Sequence, residues 1–143
     1  MTPSHVLVPL DGSPLADEAL DRALELFDCR VTVLNVVTPL DGNMSEGGVL
    51  EPGAERRESA RERADRLVER ASDRAAEADR TVETAVATGD PAETILEYVE
   101  AHDVDHVVMG GHGGERNAVA RRLLGTVATT VVGEAPVTVT VVR

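Results

Sequence analysis

The chain predicts an α/β fold: a five-stranded parallel sheet in the order 3-2-1-4-5, with helices on both faces. Two observations carry the class. Short β-branched and aliphatic runs alternate with stretches of helical periodicity along all 143 residues, the pattern of repeated strand–helix–strand units. The run through Val107-Val108-Met109 then opens into four glycines within five residues, Gly110, Gly111, Gly113 and Gly114. The strand order follows from where turns fall. Pro9-Leu10-Asp11-Gly12-Ser13 after the first strand and the glycine loop after the fourth are both turn-rich, and ligands in such sheets sit where the strand order reverses. The order 3-2-1-4-5 sets these two loops side by side, whereas 2-1-3-4-5 separates them.

The elements follow in turn. His5 to Leu10 is a short apolar run closed by Asp11-Gly12, hence a buried strand. Ser13 is placed to cap the next helix with Pro14 at its first position, and Ala16, Ala19, Leu20, Ala23, Leu24 and Phe27 keep helical spacing. Val31 to Val37 is the second strand, ended by Thr38-Pro39. Leu40 to Gly53 is rich in Gly, Asp and Glu without periodicity and reads as a long loop. Ala60, Ala64, Leu67, Val68, Ala71, Ala75 and Ala78 then form one stripe of a long helix whose other faces are charged. Thr81 to Thr88 is a third strand, and Asp90-Pro91 starts a helix that turns Ala92, Ile95, Leu96 and Val99 inward. His106 to Met109 is the fourth strand, Thr126 to Glu134 a helix, and Pro136 to Val142 the fifth strand.

Composition narrows the function classes. The length suits one domain, 1–143. No apolar run approaches the roughly 18 residues that span a bilayer, and the start Met-Thr-Pro-Ser-His lacks a secretory pattern, so the expectation is a cytoplasmic protein off the membrane. One cysteine, Cys29, excludes an internal disulfide framework. Acidic residues number 26 against 14 basic ones, all arginine, for a net charge of -12. That balance argues against nonspecific nucleic-acid binding and fits a solvated acidic surface suited to concentrated salt, as in halophilic proteins. Salt also screens repulsion between such a surface and an anionic ligand, so acidity does not forbid phosphate binding.

The glycine loop is the place to look for phosphate. Glycines let backbone N–H groups approach a ligand with no Cβ in the way, and Gly125 opens a helix at Thr126 whose dipole and unpaired amides favour an anion. Alternatively, the glycines make only a tight turn. His112, inside the loop, is either a phosphate donor or proton shuttle, or a turn residue lining a pocket. Asp11 is a ligand contact or a helix-entry carboxylate beside Ser13. The run from His102 to His106 holds metal-ligating residue types but falls between a helix end and a strand start, which favours a structural turn. Cys29 has no partnering base and reads as a small hydrophobe. A receiver domain needs a lysine near its fifth strand, and a Walker loop needs Gly-Lys; the chain has no lysine. A dinucleotide fingerprint is missing after the first strand.

The residues Val6-Leu-Val-Pro-Leu-Asp-Gly-Ser-Pro-Leu-Ala, Val36, Met109-Gly-Gly-His-Gly, Leu123-Leu-Gly-Thr-Val-Ala and the closing Ala135-Pro-Val-Thr-Val-Thr-Val-Val-Arg resemble the universal stress protein family, UspA-like domains, over essentially the full chain. The resemblance implies a Rossmann-like domain of the adenine nucleotide alpha hydrolase kind, strand order 3-2-1-4-5, and a homodimer formed through Pro136 to Val142. One branch of the family binds ATP and the other does not. The ATP-binding pattern resembles Gly-x-x-Gly, nine residues, then Gly-Ser or Gly-Thr; Gly110 and Gly113 match its first half and Gly125-Thr126 its second. The spacer here, Gly114 to Leu124, has eleven residues. Gly114 stands where an arginine or lysine is usual, followed by Glu115 and Arg116, and Gly111 replaces the usual serine.

Carried across, the resemblance implies an ATP site in which Asp11 and Val36 meet the adenine and ribose end and Pro9 and Leu10 shape the wall. Backbone around Met109, Gly110, Gly113, Gly125, Thr126 and Val127 holds ribose and phosphates, with Mg²⁺ riding on the phosphates and waters. No nucleophile–base pair stands out, so any ATP turnover would be slow and serve as a timer or switch. The alternative is a dimerisation and interaction module that binds no nucleotide. A fifth strand at the sheet edge needs covering in either case, which a second copy supplies.

Overall fold

The structure, a computed structural model, describes residues 3–39, 50–112 and 124–143, with residues 50–57 given by their helical backbone. Among the described residues nine elements run in order: β1 (His5–Pro9), α1 (Pro14–Leu26), β2 (Arg30–Val37), α2 (Leu50–Glu77), β3 (Glu83–Thr88), α3 (Pro91–Ala101), β4 (His106–Gly110), α4 (Thr126–Glu134) and β5 (Thr138–Val142). The five strands form one parallel sheet, β3-β2-β1-β4-β5, the order expected from the sequence.

Strand alternation sorts the core into two layers. Val6, Val8, Val31, Val33 and Val108 pack with α1 and α2 through Ala19, Leu20, Ala23, Ala71 and Ala75. Leu7, Leu34, Val107 and Met109 pack with α3 and α4 through Ile95, Val99, Ala128 and Val131. Burial on both faces is why β1, β2 and β4 read as near-continuous apolar runs. Surface pairs add little by comparison. The Arg74–Asp21 pair at 2.7 Å is more than two-fifths exposed on both sides, worth about 0–1 kcal/mol, against about 1.5–3 kcal/mol for one fully buried leucine such as Leu20.

The local signals behave as their chemistry dictates. Ser13 Oγ accepts from the Ala16 amide at 3.3 Å and caps α1. Asp90 caps α3 through the Glu93 amide at 3.0 Å. Two expectations are corrected. The segment taken as a loop to Gly53 is helical from Leu50; Pro52 falls in the first turn, where a missing N–H forfeits no helical bond. Residues 40–49 of that segment lie outside the described residues. Ala78, placed on the buried stripe of α2, is exposed, because the helix stops at Glu77 and the chain turns through Asp79 at φ 58. The amides of Ala78, Asp79 and Arg80 close that turn onto the carbonyls of Ala75 and Ala76.

Strand ends shift by a residue or two for related reasons. β5 begins at Thr138, opposite His106 of β4, since Pro136 has no N–H to enter a ladder. β3 begins at Glu83, opposite Thr32, after Val82 has turned into the core.

The starts of β1 and β4 carry buried imidazoles. His5 Nε2 lies 2.8 Å from Thr32 Oγ1 and Nδ1 lies 3.0 Å from the His102 carbonyl. His106 Nε2 lies 2.8 Å from Thr140 Oγ1, with the ring tilted against Phe27. Burial pushes His106 below its ordinary range, against a smaller opposing pull from Asp105. A histidine with a depressed folded pKa binds fewer protons in the native state than in the unfolded one. Its contribution is therefore present above the unfolded value of about 6.5 and is lost as pH falls through the folded value. Denaturant unfolding measured from pH 8 to 5 should show stability falling on acidification. The fall should be smaller in His106→Gln, which keeps a partner for Thr140 but does not titrate; equal slopes would place the proton uptake elsewhere.

Candidate functional site

The sheet opens at one place. β1 and β4 are paired at Val6↔His106 and Leu7↔Val107, and beyond that their carboxyl ends part. A cavity of about 230 Å³ occupies the opening. Its walls come from the β1–α1 loop, the ends of β2 and β4, and the starts of α3 and α4. It brings together Pro9, Leu10, Asp11, Val36, Met109, Gly110, Gly125 and Val127, eight of the ten residues the sequence nominates. Thr126 is exposed and stands outside the lining. Gly113 lies outside the described residues, as do residues 114–123 of the spacer with Glu115 and Arg116.

The first loop is held from below and from behind. The Leu10 amide donates to the Leu34 carbonyl at 2.8 Å, and its carbonyl accepts from Asn35 Nδ2 at 2.7 Å. Asp11 Oδ1 accepts from the Ser13 amide at 2.9 Å, so the helix-entry role weighed for Asp11 is present while the residue also lines the cavity. Gly12 sits at φ +85, where a side chain is strained. Leu67 of α2 closes over it, 3.3 Å from where a Cβ would stand.

The second loop is positioned through glycines. A Cβ on Gly110 would stand 3.0 Å from Leu15 Cβ and 3.1 Å from its carbonyl carbon, so any side chain there would press on α1 where β4 ends. The Gly111 amide donates to the Val142 carbonyl at 2.8 Å, and the Gly125 amide to the Gly111 carbonyl at 2.6 Å. The Gly125 amide, expected to face a phosphate, therefore has an acceptor within the protein. Among the described residues, the donors left at this end include the first-turn amides of α4, at Thr126, Val127 and Ala128, which a helix does not pair internally. The N-cap Gly125 has no side chain to take them. Val127 and Ala128 face the cavity, which makes the α4 terminus anion-attracting.

Away from the loops the cavity is aliphatic. Leu34, Val36, Pro91, Ile95 and Ala128 line it. Sequence reading treated Ile95 only as core and passed over Leu34, Pro91 and Asn35. Asn35 had a legible signal, an amide inside the apolar run Val31 to Val37, buried here to 7% exposure.

The His102–His106 segment is structural. His102 ends α3 and stacks on Tyr98 at 3.9 Å. Burial works to raise the Asp105 carboxyl, but hydrogen bonds from Ser4 and the His5 amide outweigh it and hold the group below its usual range. Among the described residues no three metal-ligating side chains gather, and no helix is long and apolar enough to cross a membrane. Cys29 is half-buried, its thiol pushed up chiefly by burial.

Residues 3–143 match the profile of the universal stress protein family. A universal stress protein of Methanocaldococcus jannaschii is 30% identical, over 96% of this chain and 81% of that protein. The solved universal stress protein UspA of Lactobacillus plantarum is 25% identical and superposes with a TM-score of 0.81, covering 100% of this chain and 99% of that one. An Arabidopsis thaliana family member solved with AMP bound shares the fold at 22% identity and TM-score 0.70, over 98% of this chain and 91% of that one. Other universal stress proteins of this fold have been solved in complex with cAMP and with dAMP.

Asn35 is the side chain on which the first loop depends. Asn35→Ala leaves the Leu10 carbonyl without its buried donor and should cost about 1–3 kcal/mol in denaturant unfolding. A change below about 0.5 kcal/mol, the scale of an ordinary surface substitution, would mean the loop is held without it.

Proposed function

The chain belongs to the universal stress protein family, and on that premise we propose that it binds an adenine nucleotide, ATP, in the cleft between β1 and β4 and acts as a nucleotide-gated switch in stress response. The observation that carries this is the meeting of three features in one opening: an aliphatic wall, the aligned Asp11 loop, and the side-chain-free amino terminus of α4. The binding of AMP, cAMP and dAMP by family members of the same fold supports it.

The residues present fit the ligand. The base lies against Leu34, Val36 and Ile95; with one Tyr and one Phe in the chain, and neither in the lining, aliphatic contact replaces ring stacking. Asp11 is placed for a ribose hydroxyl, and the amides of Thr126, Val127 and Ala128 take phosphate oxygens. The cavity lies below the roughly 300–1,000 Å³ of drug-sized ligand pockets, so base and sugar fill it and the phosphates extend over α4. Mg²⁺ rides on those phosphates, its usual mode with nucleotides. On this reading any ATP turnover is slow and serves as a timer.

The protein is proposed to act in the cytoplasm as a homodimer through β5, the edge strand of the described sheet. The Val142 carbonyl faces β4, where it accepts from Gly111. Strand alternation then turns the backbone groups of Val139 and Val141 to the open edge, where a second copy can meet them.

Calorimetric titration with ATP and Mg²⁺, at low and molar salt, tests the site. Binding should be seen, and Val36→Asp should weaken it at least about tenfold by setting a charge in the aliphatic wall. Absence of binding at either salt and at two temperatures would favour the dimerisation module that takes no nucleotide. Val139→Pro removes an edge donor while sparing the β4 ladder and should shift the dimer toward monomer in sedimentation. A dimer of undiminished stability would locate the interface elsewhere.

A further inference from the structure

The described sheet has a second open edge. β3 lies at the end opposite β5, and no described strand lies beyond it. The Gly89 amide donates to the Val37 carbonyl, which fixes the phase of the parallel ladder. Ala85 and Ala87 bond to β2, while Thr84, Val86 and Thr88 turn their N–H and C=O groups outward. Side chains alternate with them. Val86 packs toward the layer of α1 and α2, and Ala85 and Ala87 toward that of α3 and α4. Thr84 and Thr88 are exposed.

Proteins commonly blunt such an edge with lysine, proline, a bulge or an inward charge. β3 has none of these from Thr84 to Thr88, and its register with β2 is unbroken. Its one charge, Glu83, is bound to Arg30 of β2 at 2.8 Å. The edge carries a symmetric sequence instead. Thr84-Ala85-Val86-Ala87-Thr88 reads the same in both directions. An antiparallel copy related by a two-fold axis at Val86 therefore sets Val86 against Val86, Thr84 against Thr88, and Ala85 against Ala87. The backbone phase agrees with this register. Thr84, Val86 and Thr88 all face outward, so each pair among them exchanges both backbone bonds. The alanines take the closer, unbonded positions, where small side chains fit. Threonine pairs across strands are favourable, and Glu83 falls opposite Gly89 rather than another carboxylate. A two-fold interface must be self-complementary, and this strand is.

We propose that β3 is a second self-association edge, on which another copy of the chain pairs antiparallel about Val86. The proposal stands apart from the nucleotide reading and from the β5 dimer. Where both edges pair, the molecules join into an assembly larger than a dimer; where β5 does not, β3 makes a dimer by itself. A pairing of one short strand is small beside the roughly 1,200–2,000 Å² of a stable interface, so it forms at high protein concentration. The net charge of -12 opposes it at low salt. Molar salt, with a screening length of about 3 Å, removes that opposition.

Sedimentation over a range of protein concentrations, at about 0.15 M and at molar salt, is the test. The native protein should show an association step at least about tenfold tighter in molar salt. Two double variants at exposed positions then read the register. Thr84→Lys with Thr88→Lys sets like charges opposite each other and should weaken the step, although it lowers the net negative charge. Thr84→Lys with Thr88→Glu sets unlike charges opposite each other and leaves the net charge unchanged. At the lower salt the mixed pair should associate at least about tenfold more tightly than the lysine pair. Circular dichroism checks that both variants fold. The comparison is repeated with Val139→Pro, which removes a step belonging to β5 and spares one belonging to β3. A native protein with no step that strengthens with salt overturns the proposal. So does a lysine pair that associates as tightly as the mixed pair, since the two differ only where this register brings the strands together.

Discussion

The cleft exists because β1 and β4 remain paired at only two positions, Val6↔His106 and Leu7↔Val107. On the other side of β1, the ladder with β2 runs from His5↔Arg30 to Pro9↔Leu34. The strand order places this short seam where the chain reverses direction across the sheet. α1 and α2 serve strands on one side of it, and α3 and α4 bring the chain to the other. Above Leu7 and Val107 the two strands no longer satisfy each other, so their loops turn outward in opposite senses. The lining follows from that parting: Pro9 to Asp11 on one side, Met109 to His112 on the other, with Leu34 and Val36 of β2 forming the adjoining wall.

An opening of this kind stays useful only if its rims are stiff. Most of the stiffness comes from backbone groups tied across elements. Leu10 is bound to β2 at both its amide and its carbonyl, and Gly111 is bound both to Val142 of β5 and to Gly125 at the head of α4. These are buried or half-buried amide bonds worth about 0.5–1.5 kcal/mol each, and the penalty for leaving one partner unpaired is larger. Among the described residues, ion pairs lie elsewhere, as Arg74–Asp21 and Arg70–Asp17 between α2 and α1 and Arg30–Glu83 at the start of the sheet. The acidic surface and the cleft are therefore separate matters: charge governs solubility and ligand encounter, and neutral hydrogen bonds set the shape.

The strand order and all but the ends of the elements were legible in the sequence, because strands buried on both faces leave unbroken apolar runs and α1 and α3 carry a Ser13 or Asp90 cap followed by proline. The start of α2 was not. Its first turn carries Pro52 and Gly53, residues that signal a loop everywhere except in a first turn. Eight nominated site residues gather in one cavity, for loops announce themselves by composition. The rest of the wall did not: Leu34 and Ile95 look like any other core residue, and which aliphatic side chain fronts a cavity depends on packing in three dimensions. Asn35 lies between these cases, visible as polar but with its target, the Leu10 carbonyl, set only by the fold.

The glycines show why a motif and a site are different things. A Cβ would press tightly on Leu15 at Gly110, on the backbone of His112 at Gly125, and on Val141 and the Val142 carbonyl at Gly111. Each has a packing reason to be glycine that involves no ligand, and the Gly125 amide is already committed to Gly111. The glycine pattern by itself would thus be equally at home in a protein that binds nothing. What distinguishes a cradle from a tight turn is what the close packing leaves behind. Here it draws β4 against α1 and α4 against β4, so that Val127 and Ala128 in the uncapped first turn of α4 line the cavity while Thr126 stays exposed.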